Sequence, residues 1–365
     1  MARIFDLPET KGMFKVTGKV NGTSKDKYYT NGLTKKGKVK MALKFGIKVD
    51  GEGRTVYTCI EPRPKDPNND KVYFYKKSSE KGKKGQTMPV VFSKRNEFNE
   101  EGFEQIGVKV GIEQFVDEKG QVKNNNINLF EENAIDYLKE NLKEDQEVFA
   151  RGDMDWSSYK NGNTGDIIRM TKYKITQISG LTKPLDFDKE GFVSMNDFKQ
   201  KIIFMGIELD TSNKEDEKAI LEAKIVTYNS IEDAEFVVRN KKLYKNLKKL
   251  KPYTALDVFG KINNIIEKEE EQEDDGWGSE NDSFGEGNNI SFIKEMYVLG
   301  ADPSTIDTET YTKQNVEEAI ELIRKNNEAY QNFGENNNEE DTDGGDWGSM
   351  NETSDDSNEI EEGWD

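Results

Sequence analysis

The chain has 365 residues, 33% hydrophobic and 34% charged, enough for two domains but too polar for all of it to join a packed core. It has no histidine and a single cysteine, Cys59, which argues against serine–histidine catalysis and histidine zinc sites and excludes an internal disulfide. The net charge of −18 is uneven: residues 267–365 hold 31 acidic and 5 basic side chains, leaving residues 1–266 at +8. A cationic body on an anionic C-terminal region suits a polyanion ligand, with the tail either competing for that surface or reaching a basic partner.

No apolar run is long enough to span a bilayer, and MARIFDLPETKGMF lacks the apolar core of a signal peptide, so a cytoplasmic protein without a membrane partner is expected. Phosphate-binding and dinucleotide-binding glycine motifs and calcium loops do not occur. Carboxylates are too abundant for any pair to mark a site. The expectation is a non-enzymatic protein with no cofactor and no metal.

In chain order, residues 1–12 read as a flexible N-terminal arm. Phe14, Val16 and Val20 alternate with Lys15, Thr17 and Lys19 in a first strand, and Asn21–Gly37 reads as a long loop. Lys38–Val49 alternates without a break. Val39, Met41, Leu43, Phe45, Ile47 and Val49 fall on one face, and Lys38, Lys40, Lys44 and Lys48 on the other. Successive strand side chains point to opposite faces, so this is a half-buried strand with a cationic side. Thr55–Ile60 is its hairpin partner. Residues 62–125 read as an insertion that carries the strand Val72–Lys77 and a mobile lysine-rich loop over Lys76–Gly85. Asn128–Leu142 has a helical apolar stripe, and Val148–Ile178 reads as two long strands around Asn161–Gly165.

A linker at 181–196 precedes a second set of elements at 197–300: strands at Asp197–Asp210, Leu221–Tyr228, Ala234–Arg239 and Tyr253–Ile266, a basic helix at Lys241–Leu250, and Ser291–Leu299 as a fifth strand after an acidic, disordered insertion at 267–288. Pro303–Asn315 reads as irregular, and Val316–Tyr330 as an amphipathic helix within a helical extension at 301–334. Residues 335–365 contain no lysine or arginine and read as a disordered acidic tail. Three strands, a helix and two strands are the order of an oligonucleotide-binding (OB) barrel. The order occurs twice, at 13–180 and 197–300. The fold expected is mainly β with a few helices: two OB-like five-stranded barrels, a C-terminal helix and the tail.

Aromatics interleave with cations in the first set. Trp156, Tyr159, Lys160, Arg169, Lys172, Tyr173 and Lys174 share one hairpin; Tyr57, Tyr73, Tyr75, Lys76 and Lys77 lie on earlier strands, with Lys83 and Lys84 in the loop beyond. Proteins that hold single strands stack bases on aromatic rings and track the backbone with positive charge. These residues, with Lys38, Lys40 and Lys44, are the candidate nucleic-acid contacts, each aromatic having core packing as its alternative. The acidic region repeats an aromatic motif: Asp275-Gly276-Trp277-Gly278-Ser279, Asp346-Trp347-Gly348-Ser349 and Glu361-Glu362-Gly363-Trp364-Asp365. Trp347, Glu361, Glu362, Trp364 and Asp365 form a candidate partner-binding tail, an isolated ring with carboxylates around it.

Val148–Leu185, Phe198–Glu208 and the acidic end NEIEEGWD resemble the single-stranded DNA-binding proteins of large phages that infect Gram-positive bacteria. That resemblance implies coating of single-stranded DNA during replication, recombination and repair in the host cytoplasm, with the tail recruiting replication and recombination proteins and shielding the DNA surface. An apparent second barrel, the insertion near Trp277 and a Trp-Asp tip depart from the bacterial pattern, which leaves oligomeric state and tail partners open. The alternatives are a protein–protein adaptor and an RNA-binding OB protein.

Overall fold

The computed structural model describes residues 3–78, 84–162, 164–211, 217–267 and 291–334. The chain is mainly β. Strands β1 (Gly12–Asn21), β2 (Tyr29–Leu33), β3 (Val39–Lys48) and β4 (Thr55–Ile60) come first. In the insertion, β5 (Lys71–Lys76), β6 (Gln86–Val91) and β7 (Glu104–Gln105) form a small separate sheet. Then come β8 (Val108–Gly111), the hairpin of β9 (Gln114–Val116) with β10 (Val122–Asn124), and β11 (Ile127–Leu129). Helix α1 (Glu131–Asn141), β12 (Glu147–Lys160) and β13 (Ile167–Gly180) complete the first half. The second half comprises β14 (Asn196–Asp210), β15 (Lys218–Val226), β16 (Ile231–Val238), α2 (Lys241–Leu247), β17 (Thr254–Glu267) and β18 (Ser291–Asp307), followed by α3 (Lys313–Gly334).

Each half closes on itself. The first runs β1–β12–β13–β4–β3 and back to β1, with only the β4–β13 pair parallel. The second runs β14–β17–β18–β16–β15 and back to β14, with only β16–β18 parallel. A helix between the third and fourth barrel strands, and a parallel contact between the third and fifth, give the OB topology twice. Closure satisfies the backbone groups that an open sheet would leave at its edges.

The barrels join at their first strands. Gly12–Val16 of β1 pairs antiparallel with Asn196–Gln200 of β14, and Phe14 lies opposite Phe198. The registers match across this pseudo-twofold. Phe14 pairs with Gly152 on β12, and Phe198 with Gly260 on β17. Both glycines sit at a bulge, where a Cβ would lie 1.8 Å from the Lys174 carbonyl oxygen and 1.7 Å from that of Tyr297. The buried side chains of the two barrels form one continuous cluster, in which Phe198 stacks on Phe236 at 5.8 Å and Trp156 packs against Phe236. The two sets of elements thus share one core.

Several expectations are corrected. The N-terminal segment is docked, not loose: Phe5 and Leu7 are buried with Tyr311, Val316 and Ala319 of the α3 region, and the Thr10 N–H donates to the Val226 carbonyl at 2.9 Å. The apolar residues Ile4, Phe5 and Leu7 were the signal for this. The linker also packs: Leu185 N–H donates to Glu147 at 2.9 Å, and Phe187 lies under the Lys19 ammonium. The expected loop after β1 contains β2, which extends the sheet beside β3. Helix α1 begins at Glu131, because Ile127–Leu129 pairs with β8 as a strand. Strand β18 runs on through Pro303 to Asp307, where an irregularity lets Thr305 Oγ1 accept from the Asp257 N–H at 2.8 Å. The acidic insertion and tail lie outside the described residues.

Because a methyl group at either bulge meets backbone, Gly152→Ala and Gly260→Ala are each expected to cost about 3 kcal/mol or more, whereas Gly32→Ala, with open space around it, stays within about 0.5 kcal/mol. Thermal unfolding of the three variants measures this.

Candidate nucleic-acid interface

The inner faces of the barrel strands are spent on the core, so a ligand must be met on the outer faces. On the first barrel, strand alternation sets Lys40 and Lys44 of β3 beside Tyr57, Cys59 and Glu61 at β4. Lys44 lies opposite Cys59, and Cys59 opposite Lys174 of β13. Lys172, two residues earlier, pairs with Glu61 at 2.9 Å, and Lys174 with Asp155 at 2.6 Å. The Tyr57 ring lies beside Gly46, its Cε1 3.5 Å from where a Cβ would stand, an ordinary contact distance. The result is a half-buried patch of four lysine ammonium groups, one ring and two carboxylates.

The electrostatics of the patch follow from its burial. Lys44 is lowered from the ordinary lysine value, first by desolvation; Lys172 adds to this and Glu61 opposes it. Burial is the strongest single influence on Lys174 and acts against its charge, but the hydrogen bond to Asp155 together with the charges of Asp155 and Glu61 outweighs it and the pKa is raised. Burial and Glu61 push the Cys59 thiol up to about 12, so it stays protonated and is no nucleophile. Burial likewise raises Tyr57. The Lys174–Asp155 pair is exposed enough to be worth only ~0–1 kcal/mol, so a phosphate can take the place of Asp155 at little cost, whereas the Lys172–Glu61 pair is largely buried.

The hairpin β12–β13 extends past β1 and packs against β16 of the second barrel. On its outer side it carries Tyr159, half-buried, on the same parity as Asp155 and Lys172. On its other side Arg169 pairs with Glu235 at 3.2 Å and approaches Asp233 at 3.7 Å. Lys160 is exposed near the turn. In the second barrel β17 of the corresponding hairpin runs past β4.

Two predicted contacts are corrected. Trp156 is 8% exposed, and its Nε1–H donates to Gln200 Oε1 at 3.0 Å. Gln200 is itself fully buried and donates to the Thr10 carbonyl at 2.6 Å. Tyr173 is buried against Phe14, with its hydroxyl pKa strongly raised by desolvation. Both rings take the core positions that strand parity allows, so neither can stack a base. Lys76 points to the inner side of the small sheet, where it donates to the Glu101 carbonyl at 2.8 Å beside Phe103. Tyr73, Tyr75, Lys77 and Lys84 are exposed on or beside that sheet, and Lys38 is exposed at the start of β3. Lys83, Trp347, Glu361, Glu362, Trp364 and Asp365 lie outside the described residues. The structure therefore brings together Lys40, Lys44, Tyr57, Lys172 and Lys174, and holds Tyr73 and Tyr75 apart from them.

The equivalent face of the second barrel has a different chemistry. By register, Lys44 and Cys59 correspond to Ile220 and Val237, Gly46 and Tyr57 to Glu222 and Glu235, and Lys172 and Lys174 to Glu295 and Tyr297. Sequence reading missed this. The signal was the run Ile231–Val238, whose Asp233 and Glu235 share one strand face. Among the described residues no group of three or more carboxylate or thiol ligands is placed to hold a metal, and no helix is long and apolar enough to cross a membrane.

A family model described as YorF matches residues 77–336. Among curated proteins, none matches the chain. Among solved structures, the chain is similar to the wild-type single-stranded DNA binding protein from Thermus aquaticus, with 11% identity and a TM-score of 0.37, covering 80% of this chain and 92% of that one. A deletion mutant of the same Thermus aquaticus protein gives 11% identity and a TM-score of 0.37, covering 83% of this chain and 95% of that one. The barrel assignment rests on the strand order and registers above.

Since Trp156 belongs to the core, Trp156→Phe is expected to cost about 1–3 kcal/mol by leaving Gln200 without its donor, and to leave any oligonucleotide affinity within about twofold. Chemical denaturation and an oligonucleotide titration on the same preparation separate the two effects.

Proposed function

The chain belongs to the YorF family, and we propose that it binds and coats single-stranded DNA through the outer face of its first barrel. The observation that carries this reading is the contrast between two equivalent faces of one molecule. Lys44, Lys172, Lys174 and Tyr57 gather where the second barrel has Ile220, Glu295, Tyr297 and Glu235, so lysines at three matched positions are replaced by an aliphatic, an acidic and an aromatic side chain. Lys44, Lys172 and Lys174 capture phosphates and release counterions; Tyr57 and Tyr159 offer rings to unpaired bases. Duplex DNA buries its bases in the stack and gains only the electrostatic part, so the site favours single strands. The resemblance of Val148–Leu185 to phage single-strand binders supports a place in phage DNA replication, recombination and repair. The repeated acidic motif around a single tryptophan supports recruitment of replication proteins by the tail and competition of the tail for the cationic face. The same motif favours a second reading, an adaptor of the replication machinery that binds no nucleic acid.

Titration of fluorescein-labelled oligo(dT) of ~30 nucleotides, beside an equal-length duplex and at two salt concentrations, tests the proposal. Tight, salt-sensitive binding of the single strand is expected. Lys44→Ala and Lys172→Gln should each weaken it and lower the salt slope by about 1. If neither the full chain nor a form lacking residues 335–365 binds, the adaptor reading stands instead.

Removal of residues 335–365 takes away an anionic competitor, so the shortened chain is expected to bind oligo(dT) more tightly, most visibly at low salt. Equal affinities at low salt would refute the competition.

A further inference from the structure

The small sheet β5–β6–β7 plays no part in either barrel, yet it is built around its own apolar cluster. Val72, Phe74, Phe92 and Phe130 are buried there, and Phe74 packs on Phe98 at 4.3 Å and on Phe130 at 4.9 Å. A sheet with a packed inner side holds its outer side chains in fixed positions. On that outer side stand Tyr73 and Tyr75, 50% and 40% exposed. Gly85 makes a seat for the second ring: a Cβ there would lie 2.5 Å from the Tyr75 ring and hydroxyl. Lys71, on the same strand face, and Lys77 and Lys84 are exposed nearby. The acid on this face, Glu104 opposite Tyr75, accepts from Asn128 Nδ2 at 2.8 Å.

We propose that this outer side is a second contact site for single-stranded DNA, taking two consecutive unstacked bases on Tyr73 and Tyr75. The proposal rests on the reading of the first-barrel face given above and extends it. Residues two apart on a strand are ~6.8 Å apart, about twice the ~3.4 Å step of a stacked strand, so each ring meets its own base only when the strand is stretched. A stacked duplex cannot satisfy that spacing. The surrounding lysines supply the charge that phosphates need. The small sheet is anchored at the start of β3: Val39 packs against both the barrel core and the small sheet's inner cluster and pairs with Lys65 at the start of the insertion. Lys40 of the barrel face is the next residue. A strand long enough to leave the barrel face at this end can reach the small sheet.

The test uses the full chain with oligo(dT) of ~8 and ~30 nucleotides, sizes that fit within and extend beyond one OB fold's footprint. Tyr73→Ala combined with Tyr75→Ala is expected to weaken the longer oligonucleotide about tenfold or more and the shorter one by less than about twofold. Tyr73→Phe combined with Tyr75→Phe keeps both rings and should bind like the parent. An alanine pair that binds the long strand normally overturns the proposal and leaves the sheet as a face for a protein partner. Equal losses on both lengths overturn it as well, since they would mean one site and not two. A phenylalanine pair as weak as the alanine pair excludes stacking and overturns it too. If the parent protein binds neither length, the first-barrel reading has failed and this proposal falls with it. If the parent binds, Lys44→Ala weakens both lengths and the alanine pair is silent, only the second site has failed.

Discussion

The antiparallel pairing of β1 with β14 is the constraint on which the rest of the molecule depends. It sets two closed barrels about a pseudo-twofold with Phe14 opposite Phe198, and each phenylalanine pairs with a glycine on the fourth strand of its own barrel, where a bulge brings the fifth strand's backbone close. A Cβ at Gly152 or Gly260 would run into a backbone carbonyl, and backbone cannot turn away as a side chain can. Gly12 serves the same junction from the other side, since a Cβ there would meet the Gln200 carboxamide that holds Trp156 and Thr10. Once these contacts are made, the cores of the two barrels merge and the connecting segment has a surface to pack on.

On this shared frame the two outer faces are free to differ, because neither is needed for closure. The first collects Lys44, Lys172 and Lys174 over a protonated thiol; the second sets Glu222 and Glu235 at matched positions, with Arg169 from the first barrel's hairpin bound to Glu235. Lysines crowded together cost free energy through desolvation and mutual repulsion, which is why Lys44 is lowered from the ordinary value. Glu61 and Asp155 offset part of that cost. Such an arrangement is better suited to meeting an anion than to adding stability.

The element order of both barrels was legible because each strand carries its own alternation, as in Val39–Lys48 and Ile231–Val238, and because glycine and asparagine mark the turns. Parity within the long hairpin was not legible. Nothing in Asp153–Lys160 tells which of Trp156 and Tyr159 faces inward until β1 is laid beside β12, and that pairing is long-range. Docking of Phe5 and Leu7 was hidden for a similar reason. Ile4, Phe5 and Leu7 stand out as apolar but form no periodic pattern, and the surface that receives them comes from the second barrel and from Tyr311 and α3, the latter more than 300 residues further on. The lysines of β3 were found from alternation alone, but their counterions Glu61 and Asp155 come from other strands and could be identified only through the β4–β13 and β12–β13 registers.

The junction has a consequence in terms of mass action. Two separate chains that met through their first strands would come apart on dilution, and their cationic and acidic faces would be drawn at random from whichever chains met. Here residues 181–195 tether one half to the other, so the encounter is intramolecular and its effective concentration does not depend on how much protein is present. Every copy of the chain therefore has the same unequal pair of faces, one cationic and one acidic, however dilute the protein becomes.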